Sequence, residues 1–165
     1  MSRVRRSAPL LAILVAILVP FFARDLFKPA KAAARRGAVE INEEHLFAGQ
    51  INRRGRPVGF HSRPGGRDPQ TARLVEVLDG PNAAGVYTAE VEIHDPRSGR
   101  WLRKTSTFYP DRMQRTEVLK AVLNAFEHAP GGGERFRGPS GTGFTIEGYF
   151  QNGRINTAYP IYSRR

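Results

Sequence analysis

Tyr87-Thr88-Ala89-Glu90-Val91-Glu92-Ile93 alternates with a period of two: Tyr87, Ala89, Val91 and Ile93 share one face, and Thr88, Glu90 and Glu92 the other. That is the pattern of a strand buried on one side. Asp95-Pro96-Arg97-Ser98-Gly99 behind it is turn chemistry, and Trp101 to Phe108 is rich in threonine and aromatic residues. The stretch predicts an antiparallel hairpin whose second arm carries Lys104.

Downstream, Tyr109-Pro110-Asp111 ends the hairpin. Val118, Leu119, Val122, Leu123 and Phe126 then fall on one side of an amphipathic helix reaching His128. Pro130-Gly131-Gly132-Gly133 stops it, and a glycine-rich loop is expected to about Gly141. Phe144–Phe150 and Arg154–Tyr162 flank Asn152-Gly153, the strongest two-residue hairpin signal in the chain. Thr157 and Tyr159 share a side of that last strand, and Pro160 places its end or a sheet edge there. Upstream, Leu74–Leu78 reads as a short strand closed by Gly80-Pro81-Asn82, and Arg53–Gln70 as a loop containing His61. Ile41, Glu44, His45 and Ala48 have helical spacing, so His45 belongs on or just after a short helix closed by Gly49. The expected fold class is α+β: an N-terminal helical part followed by a mainly antiparallel β-sheet with a packed helix. Trp101 is expected as a core anchor, and His94 and His128 as structural or solvent-facing.

The chain of 165 residues has room for one domain plus something short. Residues 1–36 read as that addition. Arg3, Arg5 and Arg6 precede an apolar run from Ala8 to Ala23, and charge returns at Arg24 and Asp25. This is the layout of a secretory signal. The run is short for a spanning helix of roughly 20 residues, so a cleaved signal peptide and a retained single-pass anchor both stand, followed by a basic tether. Either predicts a secreted, periplasmic or cell-surface protein that meets the membrane only through this segment. The formal charge is +11, but residues 1–36 hold eight Lys or Arg and one acid, leaving eighteen bases against fourteen acids, net +4, for the domain at 37–165. That balance suits a polyanionic partner without demanding one. There is no cysteine, which removes disulfides, thiol nucleophiles and thiolate metal sites.

Two histidines sixteen positions apart sit in signatures of their own, Glu44-His45-Leu46-Phe47-Ala48-Gly49-Gln50 and Gly59-Phe60-His61. An unperturbed pKa of about 6.5 lets one imidazole accept a proton while another donates one, so a pair around one phosphate can run acid–base chemistry.

These residues resemble the EndoU family, the uridylate-specific endoribonucleases that include bacterial toxin domains. The first signature is similar to the family's first histidine motif, and Gly59-Phe60-His61 to the second. Arg103-Lys104-Thr105-Ser106-Thr107-Phe108-Tyr109-Pro110 resembles the catalytic lysine segment of bacterial members, and Thr157-Ala158-Tyr159-Pro160 the Ser/Thr-x-Tyr motif that completes the site. A departure follows His61, where Ser62-Arg63-Pro64 replaces an aromatic found in some members. The resemblance implies the barnase/EndoU/colicin/RelE-like nuclease fold, catalytic His45, His61 and Lys104, and substrate-binding Thr157 and Tyr159. It implies cleavage of single-stranded RNA 3′ of uridine through 2′-hydroxyl attack, giving 2′,3′-cyclic phosphate ends, with His61 leaning to base and His45 to acid. No cofactor is required, although some members respond to manganese. RNA is the implied partner, joined by an immunity protein if the chain is a toxin rather than a scavenging nuclease. Taken singly, each residue also has a plain reading: His45 a solvent-facing helix residue, Lys104 an exposed strand lysine, Thr157 and Tyr159 an edge-strand pair. The competing functions are a non-catalytic RNA- or protein-binding module that retains the fold and, more distantly, a metal-dependent DNA nuclease.

Overall fold

The computed structural model describes residues 39–131 and 133–164. The elements follow as β1 (Glu40–Ile41), α1 (Glu43–Phe47), β2 (Gln50–Ile51), β3 (Pro57–Val58), a 3-10 turn (Pro64–Gly66), β4 (Ala72–Asp79), β5 (Tyr87–Asp95), β6 (Arg100–Phe108), α2 (Arg115–His128), β7 (Arg135–Pro139), β8 (Thr145–Gln151) and β9 (Arg154–Pro160). They form a three-stranded sheet β4-β5-β6, a four-stranded sheet β1-β9-β8-β7 and the small ribbon β2-β3. All pairings are antiparallel except β1 with β9, so the fold is α+β with mainly antiparallel sheets. Of the expected N-terminal helical part, the described residues contain the five-residue α1. The leader and tether lie outside them. Among the described residues no helix is long and apolar enough to cross a membrane.

The alternating stretch is β5, and its inward face builds one core. Tyr87, Ala89, Val91 and Ile93 are buried with Phe60, Ala72 and Phe108. Phe108 stacks on Tyr87 at 5.0 Å and meets Phe60 edge-on at 5.1 Å. Register places Lys104 opposite Val91, so this lysine belongs to the inward face of the sheet. Trp101 is not a core anchor. It pairs with His94 on the other face, half-buried beneath the Arg73 guanidinium at 4.3 Å, because its position in the alternation is one residue out of phase with Leu102. β4 also runs longer than the expected Leu74–Leu78, as an edge whose Val75, Val77 and Leu78 are exposed.

The second core lies between α2 and the four-stranded sheet. Val118, Ala121, Val122, Ala125 and Phe126 are buried against Phe136, Ile146, Ile155 and Ala158, while Leu119 and Leu123 are only partly covered. Alanines replace the expected leucines at the closest approach, because α2 rides directly on β7. A Cβ on Gly138 would stand 2.0 Å from the Ala125 carbonyl. β7 itself lies where a loop to Gly141 was expected. Its one large inward side chain is Phe136, alternating with outward Arg135 and Arg137, too sparse a pattern to read as a strand. The Asn152-Gly153 turn has φ of 55° and 80°, the left-handed pair of a type I′ hairpin. β1 covers β9 only at Arg154 and Ile155, and β9 ends at Pro160 as anticipated. The uncovered edge beyond Ile155 is where the two sheets and α1 converge.

Candidate active site

A five-residue helix cannot hold itself in place, and the second histidine motif does it instead. Asn42 caps α1, its Oδ1 accepting from the His45 amide at 3.2 Å. At the other end the helix carbonyls lack intrahelical partners. The amides of Phe60 and His61 donate to the His45 and Leu46 carbonyls, each at 2.8 Å, and Ser62 adds a bond to Leu46 at 3.2 Å. The backbone hydrogen bonds that cap α1 therefore bring the two histidines together. Gly59 makes this approach possible: it lies at φ 78°, and a Cβ there would sit 2.2 Å from the His45 carbonyl oxygen. Phe60 follows at φ 59°, a left-handed conformation held by a fully buried ring.

The ring centroids of His45 and His61 are 6.0 Å apart, and the Tyr159 ring lies 5.5 Å from that of His61. An open cleft of about 380 Å³ is lined by His45, His61, Lys104, Thr157 and Tyr159, together with Val58–Gly59 and Thr105–Thr107. All five residues singled out in the sequence meet there. A larger cavity of about 560 Å³, between α2 and the 140–142 loop, contains none of them and no histidine.

Hydrogen-bond chemistry fixes both imidazoles. The His61 Nδ1 lies 3.0 Å from the Thr107 carbonyl, which can only accept, so Nδ1 carries hydrogen. The His45 Nδ1 faces Gln50 Oε1 at 3.4 Å. Gln50 is oriented by its Nε2 donating to Glu44 at 2.7 Å, since a carboxylate accepts only. His45 too carries its hydrogen on Nδ1, and neither Nε2 has a partner among the described residues. Lys104 donates to the Gly59 carbonyl at 3.0 Å and to Ser106, whose hydroxyl bonds the same carbonyl at 3.1 Å. No carboxylate pairs with Lys104 among the described residues. The cleft thus presents two imidazole nitrogens and one uncompensated ammonium.

Residues 40–162 match the family model for the bacterial EndoU nuclease. The chain belongs to that family. A protein named "Toxin" from Bacillus cereus is 29% identical over 122 residues, which is 71% of this chain and 22% of that relative. The chain therefore spans about a fifth of the relative's length. No solved structure matches it.

In this member of the EndoU family, burial sets the electrostatics of the cleft. His61, 8% exposed, is held well below the ordinary imidazole pKa, first by desolvation and then by the charge of Lys104. His45 is lowered less, because Gln50 and Glu44 pull against burial and Lys104. Burial alone pushes Lys104 down to about 8, so it stays mostly charged at neutral pH. The Tyr159 hydroxyl, donating to Glu147 at 2.5 Å, is pushed up to about 12 by burial and then by that bond. Glu147 in turn accepts from Arg135 at 2.7 Å. Arg135 and Tyr159 outweigh burial and keep its carboxyl below the usual range. The chain of contacts aims the Tyr159 ring at the cleft and leaves its hydroxyl occupied. The Thr157 hydroxyl, by contrast, has no partner among the described residues.

Gln50, Ser106 and Glu147 received no role in the sequence reading. Ser106 was legible in principle, since Lys104, Ser106 and Phe108 share a face by alternation. The departure after His61 serves the scaffold: Ser62 is buried, and Arg63 pairs with Asp68 at 2.6 Å and Asp111 at 3.3 Å. His94 packs against Trp101 with the rings tilted, and His128 bonds its own helix; neither lines the cleft. Glu44 is committed to Gln50, and among the described residues no group of three His, Asp or Glu converges on one point.

Proposed function

We propose that this EndoU nuclease cleaves single-stranded RNA 3′ of uridine by transphosphorylation. His61 Nε2 removes the 2′-hydroxyl proton, the 2′-oxygen attacks phosphorus, and the 5′-oxygen leaves with a proton from His45 Nε2. The products are a 2′,3′-cyclic phosphate and a 5′-hydroxyl. Lys104 offsets the charge that builds on the phosphorane. The observation that carries the reading is the pair of imidazoles 6.0 Å apart, each with Nδ1 engaged and Nε2 open to one cleft beside an uncompensated ammonium. Burial supports the assignment of roles. The more deeply desolvated His61 is the ring that is neutral at working pH, as a base must be, and His45 beside Glu44 is the one more readily charged. Thr157 hydrogen-bonds the uracil edge, and the Tyr159 ring stacks on base or ribose.

The name of the relative, "Toxin", supports use of this nuclease as a toxin. In that use an immunity protein is the partner, and residues 1–36, basic and then apolar in sequence, serve as export signal or anchor to the periplasm, cell surface or medium. The deciding experiment incubates the full chain, and His45→Ala and His61→Ala variants, with an RNA containing one uridine and with its 2′-deoxyuridine analogue, reading product ends by mass. Cleavage 3′ of the uridine with a cyclic phosphate, absent from the variants and the deoxy analogue, is the expected result. No cleavage by the unaltered chain, with or without manganese, leaves a binding module that kept the nuclease fold.

A further inference from the structure

The ribbon β2-β3 is tied at both ends to the catalytic cleft. Gln50, in β2, holds His45; Val58, at the end of β3, and the adjoining Gly59 form part of the cleft wall, and the Gly59 carbonyl accepts from Lys104. Its tip is Asn52-Arg53-Arg54-Gly55-Arg56, and that tip is rigid. Asn52 donates its amide to the Arg56 carbonyl at 2.9 Å, and its Oδ1 accepts the amides of Arg54 at 2.9 Å and Arg56 at 3.1 Å.

The three arginines are exposed, and their guanidinium groups have no ion-pair or hydrogen-bond partner among the described residues. Several arginines elsewhere are used differently, although Arg97 and Arg100 at the β5–β6 turn are also exposed. Arg63, Arg73, Arg103, Arg115, Arg135 and Arg154 are each paired with a carboxylate. Three like charges on one short, ordered loop repel one another and contribute nothing to the fold, which marks them for an external polyanion. At about 3.3 Å per residue the tip stands roughly 7–13 Å from Val58, within reach of the phosphates next to the one being cut.

We propose that the Arg53–Arg56 hairpin is a backbone-phosphate subsite that holds the RNA strand beside the scissile phosphate. The inference rests on the ribonuclease reading for its ligand, and its test uses binding so that the two can fail separately. The probe is a short fluorescent RNA with 2′-O-methyl riboses, which lacks the attacking hydroxyl and stays intact. Binding to the full chain is followed by anisotropy in KCl from about 50 to 200 mM.

Single-stranded phosphate contacts each add about 0.7 to the slope of log affinity on log salt, so Arg53→Ser/Arg54→Ser/Arg56→Ser should reduce that slope by about 2. The control is Arg97→Ser/Arg100→Ser, two exposed arginines at the β5–β6 turn, which should change it little per charge removed. Equal loss per charge in both variants, or an unchanged slope in the hairpin variant, overturns the subsite. The second of these outcomes leaves the arginines to an acidic protein face. A hairpin-specific loss in a chain that cleaves no unmodified RNA sustains the subsite while refuting the nuclease reading. Circular dichroism melts of all variants verify that the exposed substitutions leave the fold intact.

Discussion

The His61 Nδ1 donates to the Thr107 carbonyl at 3.0 Å, which leaves the Nε2 lone pair free on a ring that lines the cleft shared with His45. Because burial and Lys104 hold both imidazoles below 6.5, His61 further than His45, kcat/KM should rise as His61 loses its proton and fall as His45 loses its own. The maximum is expected on the acid side of pH 6.5. Lys104→Met removes a charge that lowers both rings, so both limbs should move to higher pH while the rate drops. A pH–rate profile of the two proteins on the same RNA decides this; limbs that stay in place would separate Lys104 electrostatically from the histidines.

Gln50 holds His45 and is not among the residues that line the cleft. Gln50→Ala removes the acceptor for Nδ1, and a lost hydrogen bond of about 1–1.5 kcal/mol corresponds to roughly tenfold in kcat. Gln50→Glu keeps an acceptor but places a second carboxylate beside Glu44 and His45. That charge should raise the His45 pKa and carry the alkaline limb upward. Steady-state kinetics across pH separates the outcomes, since a merely structural Gln50 would lower activity in both variants without moving the limb.

Thr157 and Tyr159 lie on one face of β9, one with a free hydroxyl and the other with its hydroxyl bound to Glu147. They should therefore fail differently. Thr157→Val should lower the preference for uridine over cytidine by about tenfold or more, with cleavage itself retained. Tyr159→Ala should raise KM for every base by removing the stacking surface, worth about 1–3 kcal/mol. Competition between uridine- and cytidine-containing RNAs reads both, and an unaltered ratio for Thr157→Val would count against its role at the base edge.

The extent to which this was readable beforehand depended on how local each signal was. The Tyr87–Ile93 alternation and the Asn152-Gly153 turn declare themselves within a few residues, and β5, β6, β8 and β9 follow from them. β1, β2 and β3 have two residues each and no period to detect, and β7 is hidden because Gly138 must be small for α2 to pass. Trp101 was misplaced by its size: alternation from Leu102 puts it on the outer face. In the cleft, His45, His61, Lys104, Thr157 and Tyr159 stood out through their flanking motifs. Gln50 lay within a quoted motif, but its link to His45 requires Glu44 to turn the amide, a relation among three side chains that no linear spacing expresses.

Positive charge in the cleft comes from Lys104, with neither carboxylate nor metal cluster around it among the described residues. Cleavage should persist in excess EDTA at a rate close to that without chelator. A timed digest with EDTA, then with manganese added back, tests this. Abolition that manganese alone restores would show that the cleft recruits an ion these side chains do not hold by themselves.

Gly59 connects the fold to the chemistry, since its neighbours cap α1 and its carbonyl accepts both Lys104 and Ser106. In Gly59→Ala the new Cβ would meet the His45 carbonyl oxygen at 2.2 Å, and the left-handed backbone at φ 78° adds its own cost of about 1–2 kcal/mol. The nearest atoms are the His45 carbonyl and the root of its imidazole, so no flexible side-chain end can yield. The loop must withdraw from α1, breaking the amide bonds of Phe60 and His61 and parting the two imidazoles. A loss of at least about 3 kcal/mol is expected, with kcat falling by more than either Gln50 variant. Gly55→Ala is the matched control, because Gly55 has a similar φ of 71° with open space around it. It should cost only the backbone term. Thermal melts of both variants compare the two effects, and equal destabilisation would mean that the approach of residue 59 to α1 is not what holds the site.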